Sequence, residues 1–212
     1  RDSQGFLMNR QRTTNSLNIP DIHIASSSNS VVSLDSKSFD HDDGSDSKFS
    51  ISVWFKSRNY GNLPDKQTII SKYDTSGNQR EWWLLIDDST TTNIDFLCST
   101  DGSTSDLAYD LGNLTDTDWH HIVVTYDGTQ ISGNEVVAYL DGGSAINGTD
   151  TDATARIFAG TADVRIGDIS NGGESYGLEF DGEIDDVCYY NRKILSATEA
   201  KRNYNAGKRS HR

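Results

Sequence analysis

The 212 residues carry 32 acidic against 19 basic side chains, a net charge of −13. A body that acidic repels phosphate backbones and anionic headgroups, which argues against nucleic-acid and membrane partners. The charge is uneven, because Arg1, Arg10 and Arg12 outweigh Asp2 at one end and Lys201, Arg202, Lys208, Arg209 and Arg212 gather at the other, so basic ends flank a strongly acidic body.

Residues 1–20 are polar, lack sustained periodicity and end in Asn18-Ile19-Pro20, which predicts an extended arm. From Ile22 onward, short runs of period-two alternation recur between Gly, Asn, Asp and Ser clusters, the pattern of an antiparallel sandwich. Phe49, Ile51, Val53 and Phe55 share one face of a strand and Ser50, Ser52, Trp54 and Lys56 the other. Further strands are predicted at Gln67–Lys72, Glu81–Asp87, Asn93–Cys98, His120–Tyr126, Glu135–Leu140, Asp163–Ile166 and Gly182–Tyr190. Turn chemistry separates them at Asp127-Gly128, Asp141-Gly142 and Asn171-Gly172-Gly173. Pro20 and Pro64, the two prolines of the chain, fall outside predicted strand interiors. Near the C-terminus Ser196-Ala197-Thr198-Glu199 fits a capping box and predicts one helix, expected to cover a sheet edge. No internal repeat is present, and the length suits one large β-domain.

No apolar run approaches the ~20 residues that span a bilayer, and no charged-then-apolar signal opens the chain. Because the chain begins at Arg1, a processed N-terminus and an already removed targeting segment fit the sequence. Cys98 and Cys188 lack C-x-x-C spacing, leaving a disulfide and two separate small core residues both open.

With the strands placed, the order of motifs resembles the laminin-G-like jelly-roll family of concanavalin A-like domains. The motifs are Asn29–Leu34, Phe49–Lys56, Gln67–Asp74, Trp119–Gly128, Tyr139–Gly142 and Phe180–Val187 leading into Tyr190-Asn191-Arg192. The resemblance covers about residues 22–205. It implies a sandwich that binds glycans or proteins, serves in some members as an adhesive module on viral fibres or bacterial surfaces, and commonly carries calcium at its rim. Fold alone does not choose among these.

Three constellations could carry chemistry. Glu183-Ile184-Asp185-Asp186-Val187 resembles the catalytic strand of laminarinase-type glycosidases, but Val187 and Cys188 follow where the acid/base carboxylate would stand, so no enzyme is expected. Calcium suits that cluster better, with Asp185 the first choice of ligand and Asp186 beside it; hydrogen bonding of Asp185 to loop amides is the alternative. Asp40-His41-Asp42-Asp43-Gly44 looks like a calcium loop but departs from an EF-hand, since its glycine comes one place early and Ile51 stands where the bidentate Glu belongs. For a sugar, an aromatic plane beside hydrogen-bonding groups is needed. Alternation makes Trp82, Leu84 and Ile86 core and turns Glu81, Trp83 and Leu85 outward, so Trp83 with Glu81 is the leading ligand contact, and Trp54 and His121 could line the same kind of face. No zinc spacing and no nucleophile elbow occur. Asn113-Leu114-Thr115 and Asn147-Gly148-Thr149 are glycosylation sequons, relevant only to a eukaryotic secretory route.

The expected architecture is therefore an all-β, antiparallel two-sheet jelly-roll sandwich with a short C-terminal helix: an arm at 1–20, the domain at 21–207 and a basic tail at 208–212. The expected function is a non-catalytic lectin-like adhesion module for glycans or glycosylated surfaces, extracellular or on a virion surface, with Ca²⁺ in a structural role. The competing expectation is a structural interaction protein, such as a capsid decoration or fibre subunit, whose basic arm or tail docks on acidic surfaces of sibling subunits.

Overall fold

A computed structural model of the chain describes residues 16–19, 32–34, 48–58, 66–87, 92–105, 107–130, 134–148, 157–169 and 178–212. In chain order the strands are β1 (Ser16–Ile19), β2 (Val32–Leu34), β3 (Lys48–Ser57), β4 (Lys66–Asp74), β5 (Gln79–Asp87) and β6 (Asn93–Cys98). They continue as β7 (Leu107–Asn113), β8 (His120–Asp127), β9 (Val136–Leu140), β10 (Ile146–Asn147), β11 (Val164–Ile166) and β12 (Gly182–Asn191), followed by helix α1 (Ala197–Gly207). Two six-stranded sheets result, ordered β1-β12-β3-β8-β9-β10 and β2-β11-β4-β5-β6-β7, with every pairing antiparallel.

The core lies between the sheets, where alternation sends the apolar set of each strand inward. Phe49, Ile51, Val53 and Phe55 of β3 meet Trp82, Leu84 and Ile86 of β5 and Ile94 and Phe96 of β6. Phe49 sits at its centre, stacked on Tyr126 and Tyr189 with ring centroids 5.4 and 5.5 Å away. Such offset pairs add roughly 0.5–1.5 kcal/mol each beyond the area they bury.

Strands β6 and β7 alternate strictly between covered and open residues, as a sheet with one wet face does. By contrast β3, β4, β5 and β8 are buried on both faces along most of their length. A second layer therefore covers each sheet in part. Ile169 and Leu178 lie over Tyr73, Trp83 and Leu85 on one sheet; Ala200 of α1 and Leu195 just before the helix lie over Val123 and Tyr139 on the other.

Ser196 caps α1 as its sequence predicts. Its hydroxyl accepts from the Glu199 amide at 3.3 Å, and the Glu199 carboxylate accepts from the Ser196 amide at 2.9 Å. Lys193, 2.7 Å away, and these bonds hold Glu199 down to about 2. The helix lies on the face of β3, β8 and β9 and not at a sheet edge as expected. The reason is chemical: that face presents Trp54, Val123 and Tyr139, too much apolar surface to leave in water.

Two further expectations are revised, and one open question is decided. Residues 16–19, read as the end of an arm, pair with β12 as an edge strand. Leu107–Asn113 is a strand that the sequence reading passed over, although Leu107, Tyr109 and Leu111 alternate inward. Cys98 and Cys188 form no disulfide, the first lying inside the core on one sheet and the second on the outer face of the other. The acidic loop at 40–44, Pro20, Pro64 and the Asn171-Gly172-Gly173 turn lie outside the described residues.

Candidate functional site

The six residues singled out for ligand or metal divide between the two sheets. Glu81 and Trp83 turn away from the core on β5, but the face they reach is covered. The Lys72 ammonium bonds the Glu81 carboxylate and donates to the Gly160 carbonyl at 2.5 Å, while the Gly160 amide donates to Glu81 at 2.8 Å. Both charged side chains are 1% exposed, so this pair fastens the 157–162 segment onto the sheet. Trp83 donates its indole N–H to the Thr68 hydroxyl at 3.1 Å and packs against Tyr73. At 5% exposed, its ring is not the open plane expected from alternation.

The other four converge on the outer face of β3, β8 and β12. Antiparallel register sets Trp54 opposite His121 on one side and opposite Asp185 on the other. A β-bulge between Asp185 and Cys188 puts Asp186 at a positive φ of 49° and re-aims its side chain. The C-terminal segment then closes over them. Tyr204 and His211 stack on the Trp54 indole at 5.4 and 4.4 Å, and Trp119 meets His211 edge-on at 4.7 Å. The His211 imidazole lies 3.0 Å from the Asp185 carboxylate and 2.9 Å from the Gly207 carbonyl. Gly207 must be glycine at this approach, since a Cβ there would fall 2.3 Å from the Trp54 indole nitrogen. The basic tail at 208–212 thus folds back in part onto its own sheet through His211.

Beside this stack lies a cavity of about 290 Å³, lined by Ser52, Trp54, His121, Asp186, Cys188 and Tyr190 from the sheet, with Asn203 and the α1 end above. His121 is 2% exposed; its Nε2 is 2.9 Å from the Ser52 hydroxyl, and its Nδ1 is buried with no partner in the structure. A buried polar nitrogen left in that state costs about 1–3 kcal/mol. Burial pushes the His121 pKa down to about 4, nearby His211 working in the same direction against Asp141. Burial likewise raises Cys188 to about 11, with help from Asp186, and Tyr190 to about 12. The His121 ring is therefore uncharged at neutral pH, as the Cys188 thiol and the Tyr190 phenol would be even at their ordinary values of 9.0 and 10.0.

Alternation points to Ser52 as an outer-face residue, whereas Tyr190, in step with the inward Ile184, reaches this face only because of the bulge between Asp185 and Cys188. Asn203, Gly207 and His211 carry no such signal, because only the docking of α1 brings them here.

One oxygen of the Asp185 carboxylate faces the His211 imidazole and the other accepts from the Asp186 amide at 2.7 Å, so a backbone amide bond, the alternative to calcium, is present here. Among the described residues no group of three or more His, Cys, Asp or Glu side chains could hold a metal ion. A separate polar cluster, His120 held between Asp141 at 2.9 Å and Asp116 at 3.1 Å, ties two loops together at the end of β8. Burial opposes the charge on His120, but the two carboxylates outweigh it and raise its pKa.

This architecture is that of a concanavalin A-like sandwich, and a family model described as the concanavalin A-like lectin/glucanases superfamily matches residues 26–201. The chain belongs to that superfamily. Among solved structures, the CBM40 of the Ruminococcus gnavus IT-sialidase bound to α2,3-sialyllactose superposes with a TM-score of 0.62 at 16% identity, over 88% of this chain and 97% of that one. With α2,6-sialyllactose bound, the same module gives 0.63 at 16% identity, over 89% and 98%. A leech intramolecular trans-sialidase complexed with 2,7-anhydro-Neu5Ac gives 0.63 at 20% identity, where 89% of this chain covers only 27% of the other. A search of curated proteins found no match. At these identities the structural likeness establishes the fold alone.

Proposed function

We propose that this chain is a non-catalytic, lectin-like module that binds glycans, with its contact in the cavity between β3, β8, β12 and α1. The observation that carries this is the cavity itself, whose wall sets the Trp54 indole beside the polar side chains of Asp186, Tyr190 and Asn203. An aromatic plane next to hydrogen-bonding groups is what recognition of a sugar ring requires. Support comes from a carbohydrate-binding module of the same fold that has been seen with each of two sialylated sugars bound. Asp185, one of the carboxylates a glycosidase reading would use, is occupied by His211. Placement outside the cell or on a virion surface belongs to this proposal, as does a glycosylated surface as the target.

Glycan-array binding by the folded, full chain is the test. Selective binding that weakens in Asn203→Ala supports the reading, and a folded protein that retains no glycan removes it. The alternative, a structural subunit that assembles with sibling copies, is favoured by one observation: β1, supplied by the N-terminal segment, is an edge strand that could pair in the same way with another copy. Loss of self-association on deleting residues 1–20 would support it, and a monomer with or without them would not.

A further inference from the structure

We propose that His211 fills a sugar-stacking slot on the sandwich, so that residues 208–212 act as an autoinhibitory strap whose release lets a pyranose ring replace the imidazole. The inference rests on the glycan-binding reading and adds to it a second contact and the device that covers it. Residues of the sandwich alone build the slot. Trp54 of β3 is its floor, Trp119 just before β8 is one side, and Asp185, opposite Trp54 on β12, is its acceptor. The His211 ring lies within 7° of parallel to the indole at 4.4 Å, meets Trp119 edge-on at 4.7 Å, and sits 3.0 Å from the Asp185 carboxylate. A pyranose asks for the same three things: an aromatic plane for its apolar face, a second apolar wall, and an acceptor for a hydroxyl at its rim. When His211 leaves, the Asp185 oxygen it faces becomes that acceptor, the other oxygen staying on the Asp186 amide. Trp54 and Gly207 also wall the cavity under α1, so the opened slot continues that cavity along one indole.

The strap is fastened to the sandwich by one side chain. Lys208, Arg209, Ser210 and Arg212 are exposed, and His211 alone in this run is buried. The Lys208 amide donates to the Tyr204 carbonyl, and the Ser210 and His211 amides donate to the Gly207 carbonyl, so the backbone bonds of the strap return to α1. The Lys208 ammonium likewise lies over the Tyr204 ring of the helix. Among the described residues, Asp185 is therefore the strap's one hydrogen-bond partner on either sheet, and Lys208, Arg209 and Arg212 are in no ion pair. The helix has its own attachments, Ala200 in the cluster with Val123 and Tyr139 and the Asn203 amide donating to the Tyr190 hydroxyl at 3.0 Å. Swinging residues 208–212 away thus gives up one ring stack and one bond, both of which a sugar remakes, and leaves α1 docked. The affinity of the full chain is then its intrinsic affinity scaled by the fraction of molecules with the strap open.

The test titrates three proteins by calorimetry: the full chain, His211→Gly, and the chain shortened by residues 208–212. The probes are methyl β-galactoside, methyl α-mannoside, methyl β-N-acetylglucosaminide and 3′-sialyllactose. Both variants should bind at least one of these about tenfold more tightly than the full chain does. Free imidazole should refill the slot of His211→Gly and return its sugar affinity toward that of the full chain. Should one variant not fold, the other provides the comparison. The full chain supplies a readout of its own, because the His211 ring protons should lose the upfield shift imposed by Trp54 when sugar binds. Equal affinities in the full chain and a folded variant would overturn the inference while leaving the glycan reading intact. So would weaker binding by the variants, since His211 would then belong to the site and not to its cover, and so would His211 signals that stay put at saturation. If no probe binds any of the three proteins, both fall.

Discussion

Trp83 donates its indole N–H to Thr68 and packs with Tyr73, Leu85 and Ile169, so truncating it removes a buried ring together with its hydrogen bond. Trp83→Ala is expected to cost about 3–5 kcal/mol of stability by urea denaturation while leaving glycan affinity of the folded fraction unchanged; an affinity loss without destabilisation would return Trp83 to the ligand site. Period-two alternation could tell which way Trp83 points. It could not tell that the chain near Ile169 and Leu178 covers that face. Glu81 repeats the point in polar form, since an outward carboxylate became half of a buried ion pair once Lys72 and Gly160 met it. Breaking such a pair from one side strands a charge in a dry setting. Trp54 and His121 were legible as outer-face residues for the same reason, and the pairing registers put them side by side.

At the scale of elements, α1 and its tail are the part that shapes the site. The helix start was legible, because the Ser196–Glu199 capping box acts over four residues. Where the helix docks was not legible, since that depends on Trp54, Val123 and Tyr139 contributed by three strands distant in sequence. Removing residues 208–212 takes away the His211 ring from Trp54 and its bond to Asp185. The truncated chain should keep its β-sheet circular dichroism, lose about 1–3 kcal/mol and show red-shifted tryptophan emission as water reaches Trp54. An unshifted spectrum would mean the tail does not cover that indole in solution. Strand β1 makes the same distinction at the other end. Its polar sequence reads as an arm, and only the open edge of β12 makes it a strand.

For the whole molecule, pH acts on stability through groups pulled in opposite directions. His121 has a folded-state pKa of about 4, below its ordinary 6.5, so the unfolded chain takes up that proton first as pH falls. Its contribution is complete above pH 6.5 and is lost between 6.5 and about 4, a swing of about 3 kcal/mol. His120 has a raised pKa, so what it contributes is present below 6.5 and fades as pH rises through its folded value. Asp95 is raised to about 6, by burial first and then by Asp87 and Asp110, so it favours the fold when protonated and loses that contribution as pH climbs from 3.8 to about 6. Urea denaturation of the full chain and of His121→Phe across pH 4–8 separates these effects. The variant should lack the His121 part of the acid-side loss, and parallel acid limbs in the two proteins would contradict the buried neutral ring.

The class of fold was within reach of the sequence because its signals are local: two-residue alternation, Asp-Gly turns and one capping box each act over a few residues and repeat along the chain. The core followed from the same pattern, with Phe49, Ile51, Trp82 and Leu84 inward as their spacing required. The tertiary structure alone decided which outward-facing side chains stay exposed, because covering a face depends on segments far away in the chain. Through that covering, Trp83 and Glu81 became structural, while His121 joined Ser52, Asp186 and Asn203 around a cavity.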